Sequence, residues 1–551
     1  MREMTGDLTG MGGWLTQEGK YPVNLRLSMQ RWKSVWIPTV IGLFCWGPLS
    51  RADDVGQRAV AETRQALRKE GFKTDLADFD VSTTPELRAR EAILMEAVVE
   101  PTNTMTNRGL PGLSMGGSHP NFLPTVNFWD IHPPNLMEAV ESNSAAVVWK
   151  LSAPEKPLPQ GQGNCPYSWG DLRKDSDARG PQLDRASAAI FAGPIRFDLR
   201  RRMGRYKIPP PLSQINGLMR SFNNRLVLAL HDGDQAAAWN NLLAATRLVT
   251  GWEPGLPQKC HLARFGTTEL AFEATWEALQ TNGWSDAQLA KLQAEWESVD
   301  FFTRLPDTAA YQCASDANAF QRARAMSNSD ASFDEFMAWA LRFPVMVWQA
   351  LNAQWRYKQY LEHGSYVDEA AMLLHYRDGE LELRRAVQAP TWLDMRRILG
   401  VLRPLPFNSQ VVDDKALLGR AAMAEAQRRI LIAALALERY RARHGAYPNS
   451  LLGLAPEFLG KSPVDFMDGQ PLRYSLSESG HFIIYSVGLG CMDNGVQLPL
   501  RKRPDLFGNR FDQLSASAIV WPLPASLAAV EAFRLDDARM YQQQRRTPGP
   551  R

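Results

Sequence analysis

Residues 416–445 read ALLGRAAMAEAQRRILIAALALERYRARHG, and residues 446–488 continue AYPNSLLGLAPEFLGKSPVDFMDGQPLRYSLSESGHFIIYSVG. Met423, Ala426, Ile430, Ala433, Leu437 and Tyr440 recur at alternating spacings of three and four, which places them on one face of a helix. Leu431 and Leu435 widen that face, while Glu425, Arg428, Arg429, Arg439 and Arg443 fall mostly off it. Gly445 stands where a left-handed C-terminal cap is expected, and Pro448 prevents continuation. Asn449 or Ser450 then caps a shorter helix over Leu451–Leu459, which Pro456 splits or ends early.

Two strand patterns follow. LRYSL (Leu472 to Leu476) and HFIIYSV (His481 to Val487) flank Ser477-Glu478-Ser479-Gly480, a short spacer ending in glycine that suits a hairpin. A helix followed by a small antiparallel sheet buries its apolar stripe on one sheet face. The expected C-terminal domain is therefore α+β.

The runs ALALERYRARHGAYPNSLLGL, PVDFMDGQPLRY and FIIYSVG resemble the globular part of the major pseudopilins of type II secretion. The matching positions are Tyr447, Pro448, Pro463, Asp465, Gly469, Tyr474, Tyr485, Ser486 and Gly488. This resemblance covers about a seventh of the chain. It implies a pilin-like helix plus antiparallel sheet, and a role in protein contacts at the cell envelope. It also implies calcium in the loop after the Tyr-Ser-x-Gly strand end, with Asp493 and Asn494 as ligands, although calcium wants about six to eight oxygens. The chain departs from the family before Ala416, where no processed apolar helix with a Glu near its start occurs.

Working outward, the 551 residues suggest several domains. A net charge of +3 argues against a dedicated nucleic-acid binder. Residues 1–52 read as a leader and signal peptide, or an N-terminal anchor. Arg31 and Lys33 precede the apolar run VWIPTVIGLFCWGPL, and Ser50-Arg51-Ala52 suits cleavage after Ala52. The run is shorter than the roughly twenty residues a membrane helix needs. Residues 53–183 carry helices among long Pro/Gly-rich loops. One helix opens at Thr84-Pro85-Glu86, whereas 101–135 and 153–182 read as loop.

Residues 184–400 read as an α-helical array. In it, Asp234 caps a helix over Gln235 to Val249, and Ser285-Asp286 caps Ala287 to Val299. Leu262, Phe265, Phe272, Trp276 and Leu279 form one helix face, Pro306 opens a further helix, and Phe333 to Leu361 and Val367 to Ala386 complete the array. This region resembles helical modules of uncharacterised bacterial envelope proteins. A linker over 401–415 leads into the pseudopilin-like domain, 416–536, and 537–551 reads as a disordered tail. The fold expected is mainly α, a multi-helix array with a small C-terminal α+β domain.

Motifs for catalysis are sparse. Gly112-Leu113-Ser114-Met115-Gly116 fits the G-x-S-x-G pattern, but Pro111 before it and Gly117-Ser118-His119-Pro120 after it are the wrong context for a strand-to-helix elbow. Ser114, His119, Asp130 and His132 share an aromatic loop, so an exported hydrolase sited at 101–135 is the alternative to a non-enzymatic envelope scaffold. No nucleotide-binding pattern occurs. Arg196, Arg200, Arg201, Arg202, Arg205 and Lys207 form a basic cluster, read as a solvated helix face or a dock for acidic headgroups of the inner membrane or for a partner protein. The five cysteines form no C-x-x-C pair. If 257–281, 285–301 and 306–327 make an up-down-up triplet, Cys260 and Cys313 start parallel helices with an axial offset of about 6 Å. A disulfide between them is then within reach, with two buried free thiols as the alternative.

Overall fold

A computed structural model describes residues 50–80, 82–98, 169–197, 210–326, 360–399, 414–478, 480–495, 518–521 and 524. As the sequence predicts, these residues are mainly helical, with a small antiparallel sheet near the C-terminus. The helices are α1 (Ser50–Lys69), α2 (Pro85–Val98), α3 (Trp169–Ala178), α4 (Gly180–Phe191), α5 (Pro210–Asp232) and α6 (Gln235–Thr250). They continue as α7 (Gln258–Ala278), α8 (Asp286–Glu297), α9 (Leu305–Met326), α10 (Ser365–Ala386), α11 (Trp392–Ile398) and α12 (Asp414–His444). The strands are β1 (Arg473–Leu476), β2 (Phe482–Ser486) and β3 (Ile519–Trp521), in the order β1-β2-β3. The described residues fall into two compact units. One takes those within 50–79 and 309–382; the other takes those within 80–308, 383–399 and 414–524.

The first unit is built from α1, most of α9 and α10 around a core of Val60, Leu67, Phe72, Cys313, Ala317, Met372, Leu373 and Tyr376. A buried ion triad ties the three helices. Glu369 is fully buried and accepts from Arg64 of α1 (2.5 Å) and from Arg324 of α9. Two cations on one enclosed carboxylate offset its desolvation, which one alone would do less well. The guanidinium of Arg324 also lies 3.9 Å from the Tyr366 ring centroid. The residues expected at a peptidase site, Ser50 to Ala52, form the first turn of α1.

In the second unit α7 is enclosed by α5, α6 and α12. Its burial extends beyond the face expected from Phe265, Phe272 and Trp276, because neighbours cover it on several sides. Glu269, Glu273 and Glu277, one turn apart, are buried as well. Asp234 accepts from the Ala237 amide at the start of α6 (3.0 Å), and Ser285 forms a capping box with Gln288 at the start of α8, as the spacing predicts. The expected loop over 153–182 contains a helix, α3. WGDLRKDSDA has no apolar period to announce it, and a two-pronged Arg173–Asp232 pair holds it to α5 (2.8 and 2.7 Å).

Helix α12 begins at Asp414, two residues inside the expected linker, and stops as the sequence predicts, with Gly445 following it at φ +78°. Its environment differs from a single buried stripe. It packs on α7 and α8 as well as on β2 and β3, so Leu417 to Leu437 is buried almost all round. Glu425, expected off the apolar face, is buried and accepts from Arg428 (2.7 Å) and Arg429 (2.8 Å). The helix expected over Leu451–Leu459 is a four-residue 3-10 turn, Leu451–Leu454, with Ser450 accepting from the Leu452 amide (3.3 Å). Pro456 denies it a longer run. The hairpin β1–β2 pairs Arg473 with Tyr485 and Leu476 with Phe482. Strand β3, absent from the sequence reading, adds Trp521, which meets Phe272 of α7 edge-on at 5.0 Å between ring centroids.

Candidate functional site

The turn 463–471, the end of β2 and the loop 488–495 converge on one carboxylate and one guanidinium. Asp465 is fully buried. Its carboxylate accepts from the Met467 amide (2.9 Å), the Ser486 hydroxyl (2.7 Å), the Val487 amide (2.9 Å) and Arg473 Nη1 (3.2 Å). A buried carboxylate with four donors is fixed in orientation. The local backbone makes room for this. Gly469 adopts φ +77° and abuts Thr391, where a Cβ would come within 2.9 Å of the threonine methyl. Gly488 adopts φ +70°, and its amide donates to Ser486 Oγ (3.3 Å).

Arg473, which the sequence reading did not single out, joins three acids. It donates to Asp465, to both oxygens of Asp468 (3.1 and 2.6 Å) and to Asp493 (3.0 Å). Its pKa is raised, first by the hydrogen bonds to Asp468. Asp493 also accepts from the Tyr485 hydroxyl (3.0 Å) and the Gly495 amide (3.1 Å), and the Arg473 bond leads the causes that hold its carboxyl below the usual carboxylate range. The signal was an arginine on a strand with acids eight, five and twenty residues away, a pattern legible only once the hairpin brings them together.

This donor set does not fit a calcium ion. Asp493 faces a guanidinium, Asn494 is exposed in the turn beside it, and a divalent cation there would be repelled by Arg473. Among the described residues no group of three or more His, Cys, Asp or Glu side chains is arranged to hold a metal.

The other motif residues also serve the local fold. Tyr447 donates to Glu438 of α12 (2.7 Å), and Tyr474 donates to the Pro448 carbonyl (2.6 Å), so the Tyr-Pro turn is tied to both the helix and β1. Pro463 supplies a carbonyl to the Leu472 amide (3.3 Å). Burial raises the Glu438 carboxyl and pushes the Tyr474 hydroxyl up to about 12.

Cys260 and Cys313 are free thiols, each buried, one in each unit. Burial pushes Cys260 up to about 12 and raises Cys313 further, so neither is a ready thiolate. His261 is buried beside Arg264 and pushed down to about 3, and it bonds Thr308 Oγ1 as a neutral ring (3.0 Å). Ser114, His119, Asp130 and His132 lie outside the described residues, as do Arg200, Arg201, Arg202, Arg205 and Lys207 of the basic cluster.

Among the described residues no helix is long and apolar enough to cross a membrane. No family model, no curated protein and no solved structure matches this chain.

Proposed function

We propose that this chain is an exported or envelope-associated scaffold without catalytic activity, whose pseudopilin-like element works through protein contacts. The observation that carries this reading is the use made of the motif side chains. Tyr447, Asp465, Tyr474 and Ser486 all bond inward, as architecture. The helical array grips the same element. Arg439 of α12 donates to Asp286 of α8 (2.7 Å), Arg428 donates to the Trp296 carbonyl (2.9 Å), and Gln293 donates to the Phe458 carbonyl (2.8 Å). A pilin-like surface fixed on a helical platform suits display to envelope proteins at the periplasmic side of the inner membrane.

Three measurements test the reading. Residues 1–69 fused to a reporter active only outside the cytoplasm should give activity, and an inactive reporter counts against export. A fluorophosphonate probe should leave Ser114 unlabelled, whereas labelling there favours the hydrolase. Capture from envelope extracts should recover a defined protein that an Asp286→Ala, Arg439→Ala variant recovers less well; equal recovery by both counts against display by the gripped element.

A further inference from the structure

The chain holds three Asn–Gly pairs, Asn216–Gly217, Asn282–Gly283 and Asn494–Gly495. An asparagine before a glycine is labile in water, because the glycine nitrogen can close on the side-chain carbonyl carbon and no Cβ blocks its approach. Ring closure needs a peptide plane that can turn and a glycine N–H that can lose its proton. The fold treats the three pairs differently. Asn216 and Gly217 lie within α5, where the helical ladder fixes both backbones and engages the Gly217 amide. Asn282–Gly283 lies in the turn between α7 and α8, where Gln235 Nε2 donates to the Asn282 carbonyl (3.0 Å). The Gln235 carboxamide carbon also stands 3.3 Å from where a Gly283 Cβ would be, so the peptide that must rotate is clamped. Asn494–Gly495 has neither restraint. Both residues are exposed, and among the described residues nothing stands within 4 Å of the Gly495 Cβ position. The Gly495 amide donates to Asp493 Oδ1 (3.1 Å), so the proton that must leave already rests on a carboxylate. Arg473 holds that carboxyl below the usual carboxylate range, which makes it an anion at neutral pH.

We propose that Asn494 is a self-modifying site: the Gly495 nitrogen closes on Asn494 Cγ with Asp493 accepting the amide proton, and the residue ends as aspartate or isoaspartate. In the first step the Gly495 N–Cγ bond forms and the carboxamide Cγ–N bond breaks. The proton passes by way of Asp493 Oδ1 to the departing nitrogen, which leaves as ammonia, and a cyclic imide remains. Water then adds to one of the two imide carbonyl carbons and opens the ring. Nothing is oxidised or reduced, and solvent water is the only co-reactant. Each conversion places a new carboxylate beside a cluster that already sets Asp465, Asp468 and Asp493 around Arg473. The isoaspartyl product also lengthens the backbone between Asp493 and Gly495, the two residues whose hydrogen bond shapes this turn. This inference goes beyond the scaffold reading and does not depend on it.

The test incubates the full folded chain at neutral pH beside a second sample unfolded in urea. Samples taken over time are digested in mild acid, where ring closure is slow, and the peptides are mapped by mass spectrometry. In the folded chain the Asn494 peptide should gain the mass of an amide turned to an acid, as aspartyl and isoaspartyl forms, while the Asn216 and Asn282 peptides stay amides. Ion exchange of the intact protein should show a more acidic species growing at the same rate. In urea the three pairs should convert at comparable rates, since the fold no longer separates them. Asp493→Asn keeps an acceptor for the Gly495 amide but removes the base. It should slow the folded conversion severalfold and leave the rate in urea near that of the parent. An Asn494 that stays an amide in the folded chain overturns the proposal. So does an Asn216 or Asn282 that keeps pace with it there, or a folded Asp493→Asn chain that converts as fast as the parent.

Discussion

Arg473 sits where three carboxylates would otherwise repel one another. It is mostly buried, and Asp465 beside it is wholly so. Removing the cation leaves Asp465 with its amide and hydroxyl donors but without a counter-charge, next to Asp468 and Asp493. Arg473→Ala should therefore destabilise the second unit by about 2–4 kcal/mol, at the lower end where solvent reaches the site. Lysine should recover only part of this, because one ammonium cannot span three acids as a planar guanidinium does. Urea denaturation of the three proteins checks it, and a loss below roughly 0.5 kcal/mol would mean that the cluster does not need its cation. At this scale the sequence was legible wherever a side chain acts on its own neighbourhood. Asp234 and Ser285 cap helices that begin one residue later, and Gly445 closes α12 at positive φ. Arg473 was not legible, since its partners come from three segments and its own surroundings, Leu-Arg-Tyr-Ser, read only as a strand.

Helix α12 shows the same limit at the scale of an element. Its ends could be read from sequence, but the extent of its burial could not. The stripe of Met423, Ala426, Ile430, Ala433 and Leu437 satisfies one apolar neighbour, whereas the helix has neighbours on several sides. A further clue was its run of small residues. Ala421, Ala422, Ala424 and Ala426 are all essentially buried, which lets other elements approach closely. Ala426→Leu should then overpack the contact and cost about 1–3 kcal/mol, while Met423→Leu, half-buried and close in volume, should cost less than about 1.5 kcal/mol. Denaturant midpoints of both variants check this; an Ala426→Leu protein as stable as the parent would show a gap where close packing is described. Helix α3 and strand β3 escaped the sequence reading for opposite reasons. The first is mostly polar, with no apolar period, and is held by Arg173–Asp232, and the second is three residues long, too short for alternation to register.

Among the described residues, carboxyls with displaced pKa values fall into two kinds with opposite effects on stability. Asp316 in the first unit and Glu438 in the second are raised, in each case chiefly by burial. A carboxyl whose folded pKa is raised binds its proton more tightly in the folded chain, so stability falls as pH climbs from the unfolded value, about 4, through the folded one. Asp286 and Asp493 are lowered, first by hydrogen bonds from Arg439 and Arg473 respectively. Their contribution is present above the unfolded pKa and is lost as pH falls through the folded one. His261, held down to about 3, adds stability as pH rises towards its unfolded value near 6.5, so the decline owed to Glu438 and Asp316 is read as a difference between the parent and variants lacking them. Glu438→Gln keeps an acceptor for the Tyr447 hydroxyl and removes the forced ionisation, and Asp316→Asn does the same beside Tyr376 and Gln312. The double variant should lose the decline toward neutral pH while keeping the acid-side loss. Asp286→Asn with Asp493→Asn should flatten the acid side instead. Melting temperatures between pH 3 and 8 separate these outcomes, and a difference between the parent and the Glu438→Gln, Asp316→Asn variant that does not change between pH 4 and 8 would mean that these two carboxyls do not set the neutral-side loss.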